Sequence, residues 1–238
     1  MDDFLLYRSP SSFQGNKLLA SLPEMSLLQF SSHLRPTLFH LGTVLFESGS
    51  ESEAVYFPKS GIVSLVLTSA IGINVEVGLV GPEGVTGMMD ALTQSKHVVR
   101  AQVQSAGSGW SLPSEILREE FLRNPEFRQA LIRYEHELSS MTAQNALCNR
   151  LHSVSQRLAK WLLLVQDRMQ NDELELTHEF IATMLGTRRE AVTLAIHALR
   201  DAGIISHRRG FISVLDRSGL EALACECYSL LRDSPSYS

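Results

Sequence analysis

The sequence predicts an α+β fold in three consecutive parts: a region of short strands, one long helix, and a region of short helices that ends in a hairpin. Between Leu38 and Pro113, short runs of alternating apolar and polar residues are separated by glycines, a pattern typical of a small antiparallel barrel or sandwich. Between Phe127 and His152, apolar residues recur at helical spacing. We expect the three parts to span residues 16–122, 123–152 and 153–238.

Composition and charge narrow the class of protein. The 238 residues are 44% hydrophobic and carry a net charge of -5, so a globular core is expected and a wholly basic coat protein is excluded. The segment 150–217 holds ten Lys and Arg against eight Asp and Glu, a net charge of +2 that leaves -7 for the rest. This asymmetry has the sign expected of a C-terminal nucleic-acid-binding half.

Several features predict a cytoplasmic protein that does not bind a membrane. The chain starts Met1-Asp2-Asp3, which is acidic where a signal peptide is basic. Apolar runs stay well short of the roughly 18 residues of a membrane span. Cys148, Cys225 and Cys227 are too few for a secreted disulfide framework.

The first part begins with helical spacing over 17–34, interrupted by Pro23. Strands are then expected where apolar and polar residues alternate, at 55–57, 62–67, 73–79 and 98–103.

The long helix carries a heptad pattern, in which spacings of four and three alternate. Its members are Phe127, Leu131, Tyr134, Leu138, Met141, Asn145, Cys148 and His152. A lone Asn at a core position favours one defined pairing, so we expect this seam to form a homodimer. The alternative is a single helix that lies on its own β-domain.

The third part predicts two short helices joined by a turn. Thr177 is expected to cap a helix from His178 to Leu185, and Gly186 to form the turn. Thr187 and Glu190 fit a capping box, which would make Arg188 the first helical residue and Arg189 the second.

Those two arginines need an anionic partner, because a helix N-terminus carries partial positive charge. In helix-turn-helix proteins the second helix enters the major groove and its first residues contact bases; Thr193 lies toward the same side. Two strands follow, 203–206 and 211–214, joined by His207, Arg208, Arg209 and Gly210. This pattern predicts a winged helix whose basic tip contacts phosphate. The alternative is a pair of packed helices with solvated arginines.

The order of these parts resembles the cAMP receptor protein/FNR (Crp/Fnr) family of bacterial transcription regulators over nearly the whole sequence. The stretch from Gly186 to Val192, Gly-Thr-Arg-Arg-Glu-Ala-Val, is similar to the family's Gly-x-x-Arg-Glu-x-Val. The resemblance implies a β-roll (a cyclic-nucleotide-binding-like jelly roll), a dimerisation helix and a winged helix-turn-helix. It also implies that Arg189 and Glu190 read bases and that Thr177 and Arg188 contact phosphate. Its expected partners are a double-stranded DNA operator, a second copy, an unknown small-molecule effector and, as a candidate, RNA polymerase.

The effector site departs from the family pattern. Members that bind cyclic nucleotides carry Gly-Glu after the barrel turn and later Arg-Ser/Thr-Ala; here Met88 replaces the Glu, and Arg100 is followed directly by Ala101. Because Met cannot accept a ribose hydrogen bond, we expect no tight cAMP binding. A pocket near Val85, Met88, Met89 and Arg100 is expected to take another ligand. The alternative is a sensor of a cyclic nucleotide or another small ligand, with ligand binding as its main output.

Metal, cofactor and enzyme functions are not expected. FNR-type members hold an iron–sulfur cluster with N-terminal cysteines, whereas the first cysteine here is Cys148. Cys148 is instead interpreted as a small apolar seam residue, and Cys225-x-Cys227 lies beyond the wing. P-loop, nucleophile-elbow, Gly-x-Gly-x-x-Gly and metalloprotease motifs are absent from the sequence.

Overall fold

A computed structural model describes residues 13–169, 173–208 and 210–232. The N-terminal part consists of α1 (Lys17–Ala20), α2 (Glu24–Leu28) and a 3₁₀ turn at Ser31–His33. The helical pattern predicted over 17–34 is therefore split, with Pro23 immediately before α2.

Two antiparallel sheets follow, which confirms the β-roll. The strands are β1 (Arg35–Phe39), β2 (Val44–Phe46), β3 (Ala54–Pro58), β4 (Ile62–Thr68), β5 (Asn74–Val80), β6 (Arg100–Ser105) and β7 (Gly107–Pro113). The sheets have strand orders β1-β7-β3 and β2-β6-β4-β5. The four strands expected from alternation are β3 to β6; β1, β2 and β7 had no separate prediction.

Three helices connect the β-roll to the rest of the molecule: α3 (Met88–Thr93), α4 (Ser114–Arg123) and α5 (Pro125–Leu151). The start of α5 follows from its sequence. Asn124 Oδ1 accepts a hydrogen bond from the backbone N–H of Phe127 at 3.1 Å, and Pro125 occupies the first helical position, where its missing N–H costs nothing.

The face of α5 predicted as a dimer seam is buried within the chain itself. Phe127, Leu131 and Tyr134 belong to the core of the β-roll, and Met141 lies in the second core. The Tyr134 ring lies so close to Gly84 that a Cβ there would overlap it. This face of α5 is therefore covered by its own chain, which corrects its assignment as the dimer seam; the homodimer itself stays a prediction. A heptad pattern reports which face is buried and does not identify what buries it.

The polar end of that seam is also satisfied internally. Asn145 donates to the carbonyl of Val77 at 3.3 Å and accepts from Lys160 Nζ at 2.7 Å. Leu138 packs partly buried between both cores, and His152 caps the end of the helix.

The C-terminal part contains α6 (Val154–Met169), β8 (Glu173–Glu175), α7 (His178–Leu185), α8 (Arg189–Asp201), β9 (Ile205–Arg208), β10 (Phe211–Val214), α9 (Arg217–Leu223) and α10 (Cys227–Arg232). Its sheet has the order β8-β10-β9. This arrangement confirms the winged helix-turn-helix. The strand predicted at 203–206 begins later, at Ile205, and β8 had no prediction.

The C-terminal part packs directly on the β-roll through α6. Trp161 Nε1 donates to Glu76 Oε1 at 2.8 Å, and Arg168 Nε donates to Glu83 Oε1 at 2.8 Å with both side chains buried. Residues of β4, β5 and α5 share one core with α6, α7 and α8. Within the described ranges, no helix combines the length and the apolar character needed to cross a membrane.

Candidate nucleic-acid interface

The turn between α7 and α8 is fixed by backbone hydrogen bonds. Thr177 Oγ1 accepts from the N–H of Phe180 at 3.1 Å, as expected of a capping residue. At the other end of α7, Gly186 has φ +58. Its N–H donates to Thr183 at 3.2 Å, and the N–H of Thr187 donates to Ala182 at 3.0 Å. This pair of bonds is a Schellman motif.

The predicted capping box does not form. The backbone N–H of Thr187 donates to Ala182, so the Glu190 carboxylate does not accept it as a capping box requires. Arg188 occupies the N-cap position with an extended backbone and no side-chain cap, and α8 starts at Arg189. The prediction that Arg188 is the first helical residue was therefore wrong by one position. The Glu190 side chain therefore does not cap α8.

The two faces of α8 differ in burial. Val192, Ala195, Ile196 and Leu199 are buried in the C-terminal core. The exposed side chains at its start are Arg188, Arg189 and Glu190. One turn further along, Leu194 is 71% exposed. The sequence analysis did not include Leu194 in the interface, although its position four residues after Glu190 places it on the same helical side.

The wing lies against the helix pair through histidines. The rings of His178 and His207 are 4.6 Å apart. Thr193 Oγ1 lies 2.9 Å from His178 Nδ1 and donates to the carbonyl of Arg189 at 3.0 Å. Burial, followed by the charges of His207 and Arg189, lowers the pKa of His178. Thr193 and His207 thus join α7, α8 and the wing, and the Thr193 hydroxyl is already engaged.

Basic residues of the wing extend beyond these contacts. Arg208 is exposed at the end of β9 and pairs in register with Phe211 of β10. Gly210 has φ +90, a conformation that suits glycine in a tight hairpin. Arg209 lies outside the described residues.

The start of α8 faces an open groove of about 880 Å³. One wall is formed by the α7–α8 turn and residues 188–191; Ile73 and Asn74, at the tip between β4 and β5, contribute the other. Close by, a Cβ on Gly186 would lie 2.9 Å from Val75 Cγ2. The α7–α8 turn is therefore in contact with the β-roll.

The expected effector pocket is present in part. Val85, Met88 and Met89 line a cavity of about 190 Å³ beside α5. Asp90 and Glu135 also line it, and none of its described lining residues is cationic. Burial, followed by the charge of Asp90, raises the pKa of Glu135, although a hydrogen bond from Ser139 opposes this shift.

Arg100 is not in this pocket, which corrects the prediction. Val99 lines the cavity, whereas Arg100 Nε donates to Glu47 Oε2 at 2.7 Å on the surface.

A group of potential metal ligands lies elsewhere, at the end of α5. The structure brings Cys148 and His152 together with Cys225 and Cys227. Sequence spacing alone gives no reason for the two pairs to meet.

Two family models match this chain. A cyclic nucleotide-binding domain matches residues 36–124, and a Crp-like helix-turn-helix domain matches residues 156–223. The chain belongs to the Crp/Fnr family. It is a DNA-binding transcription regulator of the Crp/Fnr type, a family of regulators that act on DNA and typically as dimers, and not of enzymes.

Curated Crp/Fnr relatives match most of the chain. The cyclic AMP receptor protein of Thermus thermophilus is 26% identical over 89% of this chain and 98% of its own length. The global nitrogen regulator of Synechococcus elongatus is 25% identical over 75% of this chain and 84% of its own.

A solved structure shows the same fold. A putative transcriptional regulator of the Crp/Fnr family from Eubacterium rectale superposes with a TM-score of 0.71 at 20% identity. The superposition covers 88% of this chain and 98% of that one.

Proposed function

We propose that two copies of this regulator bind one pseudo-palindromic DNA site, each with the first turns of α8 in a major groove. The supporting observation is the set of exposed side chains at the start of that helix, Arg188, Arg189 and Glu190, opposite a fully buried face. Arginine can bind guanine through two hydrogen bonds, and glutamate can accept from the cytosine amine. Arg189 and Glu190 are therefore assigned to base reading.

Phosphate contacts are assigned to the groups that flank this helix. Thr177, at the start of α7, keeps its hydroxyl hydrogen available, since its oxygen is the acceptor in the cap. Arg188 precedes α8 and Arg208 ends β9, and both are exposed. Helix N-termini and arginines are common phosphate-binding groups in protein–DNA complexes. Arg209 is assigned here from its sequence position alone.

The dimer is assigned to the outward face of α5, since the inward face is already covered. Exposed residues of this face repeat every seven positions, at Ile132, Ser139 and Ala146, with Ala143 between them. Small side chains allow two helices to approach closely, and seven-residue repeats support pairing along their length. Paired helices would place the two copies of α8 about one DNA turn, roughly 34 Å, apart.

We further infer that cAMP is not the effector. Met88 stands where cyclic-nucleotide-binding members carry an acceptor, and it is buried. Asp90 and Glu135 line the cavity, so a phosphate anion would meet like charge there. A neutral or cationic ligand suits this cavity better.

The proposal is tested by selecting DNA sites from a random pool with the purified chain and titrating the selected site in gel-shift assays. Arg189→Ala should abolish preference for the selected site while leaving weak general binding. Arg208→Ala with Arg209→Ala should weaken binding to all DNA alike. The double change should also lower the salt slope by about 1 to 2, because each phosphate contact releases counterions.

Arg200→Ala is the matched control. Arg200 lies near the far end of the same helix and pairs with Asp201 at 2.8 Å, so its loss should change neither specificity nor the salt slope by much. If Arg189→Ala retained the preference of the unmodified chain, α8 would not be the base-reading element.

A further inference from the structure

Three buried thiols and one imidazole meet where the end of α5 touches the start of α10. Cys148 and His152 lie one helical turn apart, while Cys225 and Cys227 come just before and at the first residue of α10. The donor atoms of the four side chains all lie within 4.8 Å of one another. The thiols are free, at most 3% exposed, and form a cluster of their own.

The separations within this group suit a single ion. Cys148 Sγ and Cys225 Sγ are 3.5 Å apart, and Cys227 Sγ lies 3.6 Å from His152 Nδ1. Tetrahedral zinc, with Zn–S near 2.3 Å and Zn–N near 2.0 Å, puts sulfur atoms about 3.8 Å apart and sulfur and nitrogen about 3.5 Å apart. The other donor atoms lie within 4.8 Å of one another, so closing the site around one ion needs shifts of up to about 1 Å. A disulfide would need the two sulfurs to approach to about 2.05 Å.

The side chains around these four residues resemble those that surround the ligands of structural metal sites. His152 Nε2 lies 3.1 Å from Glu226 Oε1, and a carboxylate behind a histidine orients the ring toward a metal. Gln144 Nε2 lies 3.0 Å from Cys227 Sγ and donates to it. The positive charges of Lys160 and Arg157 act on the thiols, which would offset the excess negative charge of three thiolates around one divalent ion.

We propose that Cys148, His152, Cys225 and Cys227 bind one Zn²⁺ ion in a closed tetrahedral site. Binding replaces up to three S–H bonds by S–Zn bonds and releases those protons to solvent, with no change of oxidation state. Three sulfurs and one nitrogen fill the coordination sphere, so the site is structural. The ion would join the end of α5 to the segment that follows α9. This site does not depend on the proposed DNA contacts.

Metal content of the purified full chain is the first measurement. Protein prepared under reducing conditions without chelators should contain about one zinc per chain by elemental mass spectrometry. Cys225→Ser should lose that zinc. His136→Ala removes an exposed histidine from the same helix and should keep it, so it controls for adventitious binding to surface imidazoles.

Cobalt reports the ligands directly. Metal-free protein titrated with Co²⁺ should develop thiolate-to-cobalt charge-transfer bands and the d–d bands of a tetrahedral site, and zinc should displace the cobalt. Glu226→Gln should keep the stoichiometry and the bands but weaken affinity by about 10- to 100-fold, because it alters only the group behind His152.

Any of three results would overturn the proposal: unmodified protein that neither contains zinc nor binds cobalt, a Cys148–Cys225 disulfide in the intact mass of freshly isolated protein, or stoichiometric iron in place of zinc. These readings come from the unmodified chain, so they stand even if Cys225→Ser fails to fold. They are also independent of any gel-shift result.

Discussion

Leu194 is an apolar side chain at a position of α8 that faces away from the core. It is 71% exposed and lies one turn after Glu190. Because it lies on the same side of α8 as Glu190, the proposed major-groove contact would bring it against the bases. The methyl group of thymine is the apolar feature that the major groove presents.

We expect Leu194→Ala to weaken binding to the selected site by about fivefold, roughly 1 kcal/mol, because part of one apolar contact is lost. Replacing each thymine of the site in turn by deoxyuridine removes its methyl group. One such replacement should weaken the unmodified protein and leave Leu194→Ala unaffected in gel-shift titrations. Equal effects of every replacement on both proteins would exclude the contact.

The cavity residues lead to a second prediction at this scale. Calorimetry should detect no binding of cAMP or cGMP at about micromolar affinity, since Asp90 and Glu135 line the cavity and repel the phosphate. Met88→Glu should not restore binding, because it supplies a ribose acceptor but no cation. A dissociation constant near or below 1 µM for the unmodified protein would contradict this prediction.

The sequence predicted only some of the residues that line this cavity. Val85, Met88 and Met89 were predicted together because they lie within five positions of one another in the sequence. Arg100 was misplaced because the resemblance to the family does not fix strand register, and a shift of one residue turns a side chain to the other face. Leu194 was passed over because an apolar residue in a helix is usually assigned to the core.

The contact between β5 and α6 contains an ionisable group whose charge opposes folding. Burial raises the pKa of Glu76 to about 7, although the neighbouring Ser64 hydroxyl, the hydrogen bond from Trp161 and the charges of Arg168 and Lys160 lower it. Its second oxygen, Oε2, has no hydrogen-bond partner among the described residues. A cavity of about 20 Å³ beside it, large enough for one water, is lined by residues of β5, α5, α6 and α7.

The sign of the resulting pH dependence follows from linkage. Because the pKa of Glu76 is higher in the folded chain than the ordinary value of 4.5 for a glutamate, the folded chain binds the proton more tightly. This contribution to stability is complete below about pH 4.5 and is lost as pH rises through about 7. The free energy of unfolding should fall by up to about 3 kcal/mol across this interval.

Glu76→Gln should remove most of that fall, since the amide keeps the shape and stays neutral. Urea unfolding followed by Trp fluorescence from about pH 5 to about pH 8 measures the difference between the variant and the unmodified chain. Glu115→Gln, an exposed carboxyl on α4, is the control and should leave the slope unchanged. Parallel curves for the unmodified chain and Glu76→Gln would show that Glu76 is not the titrating group.

Helices whose ends are marked by capping residues in the sequence were predicted well. α7 runs from His178 to Leu185 as expected, because Thr177 caps one end and Gly186 supplies the left-handed residue at the other. The start of α8 was off by one because two local motifs competed for Thr187, and the Schellman bond prevailed over the capping box. α3 went unrecognised because its six residues are too few for a helical period to emerge from a glycine-rich segment.

At the scale of the whole molecule, the two faces of α5 differ in burial, and the proposed dimer would use the exposed one. Its inward face belongs to the two cores of this chain. The outward face, including Ile132, Ala143 and Leu147, is exposed. The heptad pattern of large apolar residues lies on the inward face because packing within the chain selects large side chains. Close pairing of two helices tolerates small side chains, so the outward face gives a weaker pattern.

We expect Ala143→Glu to dissociate the dimer and to weaken DNA binding by at least about tenfold, because two buried carboxylates would face each other across the paired helices. Light scattering coupled to size-exclusion chromatography gives the mass. Leu138→Ala, on the inward face, is the matched control: it should lower stability by about 2 kcal/mol but keep the dimer. If only Leu138→Ala dissociated it, the dimer would form through the inward face.

The meeting of α5 with the start of α10 has a mechanical consequence. The chain leaves α5 near His152, forms α6 to α9 with the β-hairpin between them, and returns to the same point at Cys225 and Cys227. With zinc bound by the four side chains, this segment would become a closed loop. Tension applied between the two ends of the chain would then pass through the metal site and leave the loop unloaded. A backbone break inside the hairpin would likewise leave both pieces attached to α5.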